Sequence, residues 1–181
     1  MKIVRIETLQ ADAGWRMFSF LKVETDAGIV GWSEFNESAG SAGLSDVIKR
    51  YAPVLIGRDP RLYEQVTQYL HVLTRQSRGG VNQQAIAAIE NALLDIAGKA
   101  YGVPVAALFG GPVRDYVRTY CHLGGGKMED FYQTDPADAT RFAELAQKAV
   151  AEGFTAFKTM AVPETLPLEG LAPIRYAEKC V

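Results

Sequence analysis

Three short stretches near the start of the chain alternate apolar and polar residues with a period of two. Lys2–Gln10 sets Ile3, Val4, Ile6 and Leu9 among charges, Trp15–Glu24 carries Phe18, Phe20 and Val23, and Ile29–Glu34 follows the turn signal Asp26-Ala27-Gly28. Such alternation places successive side chains on opposite faces of a strand. The three stretches therefore predict a small antiparallel sheet whose last two strands form a hairpin. Three strands are near the lower limit for a sheet that stands alone, so a helical layer must cover it. Ser45-Asp46 predicts the start of a helix running to Leu55. Asp59-Pro60, an N-cap followed by a first-turn proline, predicts a second helix to about Thr74. After a loop from Arg75 to Gly80, Asn82 predicts the cap of a longer helix through Ala100. In it Ala85, Ile86, Ile89, Leu93, Ile96 and Ala97 recur at spacings of three and four and form one broad apolar face. Gly102 stands at its C-terminal stop, and Pro104 opens a short turn.

The pattern changes after Gly110-Gly111-Pro112, the predicted junction between residues 1–112 and 113–181. Tyr116–Leu123 reads as a strand, which Gly124-Gly125-Gly126 ends. Asp135-Pro136 predicts the cap of a helix through Ala151, with Gly153 as its stop, and Phe154–Met160 reads as a buried strand. Strand, helix and strand in one run predict a parallel βαβ unit. Pro163–Pro167 reads as loop and Gly170–Val181 as the opening of another helix. Two parallel strands do not make a stable sheet, and a closed β/α barrel takes ~250 residues. The pattern thus predicts an α+β domain followed by the start of an incomplete β/α barrel, in a chain that is a piece of a longer protein. The competing reading is a self-contained α+β module that binds a partner or oligomerises without chemistry.

Composition narrows the classes of function. The chain has 181 residues, 48% hydrophobic and 22% charged, with a net charge of −2. Its Lys and Arg residues are scattered, which leaves no footprint for nucleic acid. No apolar run nears the ~20 residues that span a bilayer, and Met1–Arg5 reads as a strand rather than a signal peptide. Cys121 and Cys180 lie far apart without metal-ligand spacing, so the expected setting is cytoplasmic. Candidate chemistry centres on Lys158, which shares one strand face with Phe154, Ala156 and Met160. A cation among apolar neighbours carries a desolvation cost that a partner must offset. His122 ends the first strand of the βαβ unit, where strand C-termini form a barrel mouth. The three glycines after it lack the Lys-Ser/Thr of a phosphate loop. His71 and Cys121 read as structural, and Glu164 and Glu169 as solvated loop residues.

One run carries a family resemblance. Ala88-Ile89-Glu90-Asn91-Ala92-Leu93-Leu94-Asp95-Ile96-Ala97-Gly98-Lys99-Ala100-Tyr101-Gly102-Val103-Pro104-Val105, continued by Leu108-Phe109-Gly110-Gly111, resembles the signature helix and exit of the mandelate racemase/muconate lactonizing branch of the enolase superfamily. Gly31-Trp32-Ser33-Glu34 and Gly153–Lys158 fall in the matching order, so the resemblance covers nearly the whole chain. It implies an N-terminal capping domain, a three-stranded antiparallel sheet plus a helical bundle, followed by the first βαβ unit of a TIM-like barrel. It also implies magnesium-assisted abstraction of the proton α to a carboxylate, a reaction whose enediolate needs concentrated positive charge.

By the same resemblance, Lys158 matches the first lysine of a Lys-x-Lys motif that lies near the substrate carboxylate. The second position is Met160, whose thioether accepts no proton, so the base would be a histidine from a later strand. The metal-binding carboxylates belong to the third, fourth and fifth barrel strands, which leaves no magnesium ligand expected within these residues. Ala11–Arg16 and Asn36–Gly43 match loops that close over the barrel mouth, with Gly40 and Gly43 lending mobility. Arg16 would pair with an acidic substrate, and Asn36, Glu37 and Ser38 would read sugar hydroxyls. The expectation is the N-terminal part of a magnesium-dependent, homo-oligomeric acid-sugar dehydratase, inactive by itself, acting on a small carboxylate. The alternative is a racemase or cycloisomerase of the same family.

Overall fold

The computed structural model describes residues 1–14, 16–37, 41–123 and 139–159. Three antiparallel strands open the chain: β1 (Ile3–Asp12), β2 (Met17–Thr25) and β3 (Val30–Phe35), in the order β1-β2-β3. The hairpin register sets Leu21 opposite Ser33 and Val23 opposite Gly31. This places Ser19, Leu21, Val23, Thr25, Ser33 and Phe35 on one buried face. Phe18 and Phe20, expected with Val23 in the apolar pattern, lie on the opposite face and are half-buried, because they differ from it by an odd number of positions. There their rings stack at 6.4 Å.

The helices α1 (Leu44–Leu55), α2 (Tyr63–Leu73), α3 (Gly80–Tyr101) and the one-turn α4 (Val105–Leu108) follow. The core lies between the sheet and α3, where Ile86, Ile89, Leu93 and Ile96 are closed off together with Leu44, Ile48, Leu55, Val66 and Leu70 from α1 and α2. Gly31 is the point of closest approach. A Cβ there would fall onto the Ala92 carbonyl and within 2.5 Å of the Ile96 Cγ1. Beyond it, α3 closes the outer edge of β3: Asp95 Oδ2 accepts the Trp32 N–H at 2.9 Å and Lys99 Nζ donates to the Val30 carbonyl at 2.8 Å. Lys99 also meets Asp95 at 2.5 Å. An ion pair thus takes up groups that would otherwise template another strand.

The helix ends differ from the sequence pattern in three places. α1 begins at Leu44, and its first turn is capped from outside: Glu37 Oε1 accepts from the Ser45 N–H at 3.0 Å and from its hydroxyl at 2.8 Å. α2 begins at Tyr63, not Pro60, because Leu62 leaves the helical region with ψ 46°. Asp59 there closes a turn onto the Arg61 N–H at 3.0 Å and pairs with its guanidinium at 2.6 Å. α3 begins at Gly80, ahead of Asn82. Asn82 accepts from the Tyr51 hydroxyl at 2.6 Å and donates to the Ser77 carbonyl at 2.7 Å, pinning the loop to α1. Gly102 ends α3 in the left-handed region, φ 69°, where its missing Cβ avoids the usual penalty.

The chain divides into two units, Met1–Val113 and Arg114–Val181. In the second, β4 (Cys121–His122) and β5 (Phe157–Lys158) pair in parallel, with α5 (Ala139–Ala151) between them in sequence. Both strands are shorter than the expected Tyr116–Leu123 and Phe154–Met160. The Cys121 N–H donates to Ala156 O (3.0 Å) and the Leu123 N–H to Lys158 O (2.8 Å), the Arg118 guanidinium donates to the Thr155 carbonyl and hydroxyl just before the ladder, and among the described residues neither strand has a second neighbour. Phe157 and Lys158 are exposed, which corrects the expectation of a buried strand face: β5 lies in a two-stranded ladder, too small to bury both of its faces. No helix among the described residues is long and apolar enough to cross a membrane. The expected features at Ser38, Gly40, Gly124–Gly126, Asp135-Pro136, Met160, Pro163–Pro167, Glu164, Glu169 and Gly170–Val181 lie outside the described residues.

Candidate active site

The sequence-predicted residues fall into two groups, one in each unit. In the first unit, Arg16, Asn36 and Glu37 gather where β2 starts and β3 ends. Arg16 is held by neighbours: its guanidinium pairs with Glu34 at 3.0 Å and lies 4.0 Å from the centre of the Phe18 ring. Glu34 and Asn36 line a pocket of about 390 Å³ together with Ser41, Gln84 and Asn91. Ser41 donates to Gln84 Oε1 at 2.6 Å, so that wall is set by a side-chain hydrogen bond. Glu37 faces α1 through Ser45, and Gln10 Nε2 approaches its other oxygen at 3.4 Å. A carboxylate in that position satisfies first-turn N–H groups that have no helical partner.

In the second unit the parallel register pairs His122 with Lys158 across β4 and β5. Both sit at the C-terminal ends of their strands. Burial draws the His122 imidazole below its ordinary value of 6.5, and the Lys158 ammonium adds to the effect. A neutral imidazole and a cation side by side can hold one anionic group: the ammonium supplies charge and the imidazole a directed hydrogen bond. Sequence reasoning missed Tyr120, whose ring centre lies 5.9 Å from Lys158 Nζ. Its position two residues before His122 in the expected strand Tyr116–Leu123 was the available signal.

Magnesium takes oxygen ligands, chiefly carboxylates. Among the described residues no cluster of three or more His, Cys, Asp or Glu side chains could hold a metal. The strand ends instead present Lys158, a cation. The described residues do not fit a magnesium site.

An antiparallel three-stranded sheet backed by a helical layer, followed in sequence by a short parallel strand pair, is the organisation of an enolase-type N-terminal capping domain. The model of the mandelate racemase/muconate lactonizing enzyme N-terminal domain matches residues 7–110. The chain belongs to that family, within the enolase superfamily. It is 36% identical over 158 residues to the D-galactonate dehydratase of Verminephrobacter eiseniae (strain EF01-2), a match covering 87% of this chain and 38% of that one. A solved structure from Burkholderia xenovorans strain LB400, provisionally described as an L-alanine-DL-glutamate epimerase and bound to magnesium and fumarate, matches with TM-score 0.80 and 32% identity over 99% of this chain and 50% of the other. The 3,6-anhydro-D-galactonate cycloisomerase of Zobellia galactanivorans matches with TM-score 0.73 and 26% identity over 99% and 48%. The chain spans 38% of the dehydratase's length and half or slightly less of the two solved chains.

Proposed function

We propose that these residues are the capping domain and first barrel strands of an acid-sugar dehydratase that abstracts the proton α to a carboxylate. The observation that carries this reading is the pairing of His122 with Lys158 at the ends of adjacent parallel strands. The resemblance to a D-galactonate dehydratase over most of the chain favours a sugar acid as the substrate. In this reading Lys158 binds the substrate carboxylate, which lowers the barrier to removing the neighbouring C2 proton as negative charge develops. The C2–H bond breaks, its proton passes to a base, and the C3–O bond breaks with the hydroxyl leaving as water. The enol that remains ketonises to a 2-keto-3-deoxy acid. Neither Lys158 nor His122 need be that base. Magnesium belongs in this reading to carboxylates other than those described, and the 181-residue chain alone is inactive.

The test is to express the longest reading frame containing these residues and assay aldonic acids, D-galactonate first, with magnesium present. A 2-keto-3-deoxy product is expected, and Lys158→Gln should lower kcat/KM by roughly 100-fold, the loss typical of one charge-stabilising group. Product formation unaffected by Lys158→Gln, or turnover by the 181-residue chain alone, contradicts the proposal.

A further inference from the structure

Tyr120 immediately precedes β4, two residues before His122. Lys158 is the register partner of His122 on β5. Its ammonium lies within cation–π range of the Tyr120 ring, at 5.9 Å, while the chain carries its register through the Leu123 N–H to Lys158 carbonyl bond at 2.8 Å. A lysine on an exposed strand has many rotamers, and fixing it for a ligand costs side-chain entropy. An aromatic face next to the ammonium removes part of that freedom in advance. We infer that Tyr120 is a positioning residue: its ring holds the Lys158 ammonium beside the His122 imidazole, so that the two groups meet one carboxylate together. This rests on the reading of Lys158 as a carboxylate-binding cation, and it adds the residue that aims it.

The arrangement couples binding to protonation. The described groups next to His122 in sequence or register are Tyr120, Cys121 and, on β5, Lys158, and the ammonium disfavours a second positive charge there. A bound carboxylate offsets the ammonium, so His122 becomes easier to protonate when the anion is present. Ligand binding and proton uptake at His122 then rise together.

The chain has two histidines, His71 and His122, so its imidazole NMR spectrum contains its own reference. The experiment follows both imidazoles and the Lys158 ε-methylene protons in the 181-residue protein, with and without D-galactonate, in Tyr120→Phe, Tyr120→Leu and Lys158→Gln. The expected result is a Lys158 ε-methylene signal displaced by the ring current in wild type and Tyr120→Phe and restored to its free position in Tyr120→Leu. D-galactonate should raise the His122 midpoint and leave His71 unmoved. Tyr120→Leu should weaken galactonate binding about three-fold, the size of an exposed cation–π contact, and Tyr120→Phe should not. Wild-type binding and an unshifted ε-methylene signal in Tyr120→Leu overturn the positioning role while leaving Lys158 as the anchor. Galactonate binding that survives Lys158→Gln, or that never moves His122 in wild type, overturns the carboxylate reading on which it rests.

Discussion

Arg16 and Glu37 bring opposite charges to one end of the three-stranded sheet, and neighbours there engage both. Arg16 lies against Glu34 and Phe18, and Glu37 caps α1 through Ser45. A loop of polar residues reads in sequence as surface chemistry, because nothing local says which backbone N–H groups it will meet. Glu37→Ala should destabilise the fold by about 1 kcal/mol, the usual worth of a helix cap, whereas Glu37→Gln keeps an acceptor and should cost less. Urea midpoints of the two variants separate these outcomes. Asp59 offers a pH-dependent test. The Arg61 guanidinium and N–H hold its carboxyl at about 2, against an ordinary 3.8. A folded-state value below the unfolded one stabilises the protein above pH 3.8, and that contribution fades as the pH falls from there towards 2. Asp59→Asn should therefore lower the urea midpoint at neutral pH and match wild type near pH 2. His122 runs the same way. With its folded value below 6.5, the unfolded state takes up the proton first, so its contribution to stability is lost as the pH falls below 6.5.

Elements were legible where one periodicity dominated. The face of α3, with Ile86, Ile89, Leu93 and Ile96, follows from its spacing alone, as does its stop at Gly102. The strands β1 to β3 follow from alternation. Helix starts were less legible, since Asp59 and Asn82 look like caps but bond elsewhere, to Arg61 and to Tyr51 and Ser77. The clamp between α3 and β3 could not be read at all: Gly31, Trp32, Asp95 and Lys99 are distant in sequence and meet only after folding. Part of the run from Ala88 to Gly111 thus packs on Gly31 and closes a sheet edge. Gly31→Ala should overpack this contact and cost about 1–3 kcal/mol. Asp95→Ala removes the acceptor of the Trp32 N–H and one of the two partners of Lys99, whose bond to the Val30 carbonyl remains, and should cost about 0.5–1.5 kcal/mol. Thermal melts of both variants check this; a melting temperature equal to wild type in either would show that the edge is not clamped as described.

At the scale of the whole molecule, the capping domain and the first parallel strands are two units with separate polar clusters. The first holds Glu34 and Asn36 in a pocket wall with Arg16 paired to Glu34, and the second holds His122 and Lys158 at strand ends with Tyr120 beside Lys158. Lys158 stood out in the sequence as a cation on an apolar strand, but its exposure did not, since the described ladder has only two strands. Its partner was half legible, since His122 was marked by position but Tyr120 passed as a strand residue. The account's central claim is that the protein removes the proton α to a carboxylate, with Lys158 holding that carboxylate. The most direct measurement is proton NMR of D-galactonate in D2O with the full-length protein, magnesium present. Loss of the C2 proton signal and deuterium at C3 of a 2-keto-3-deoxy product are expected, both slowed roughly 100-fold by Lys158→Gln. A C2 signal that persists unchanged with the wild-type protein, or one that disappears equally fast in the variant, would contradict it.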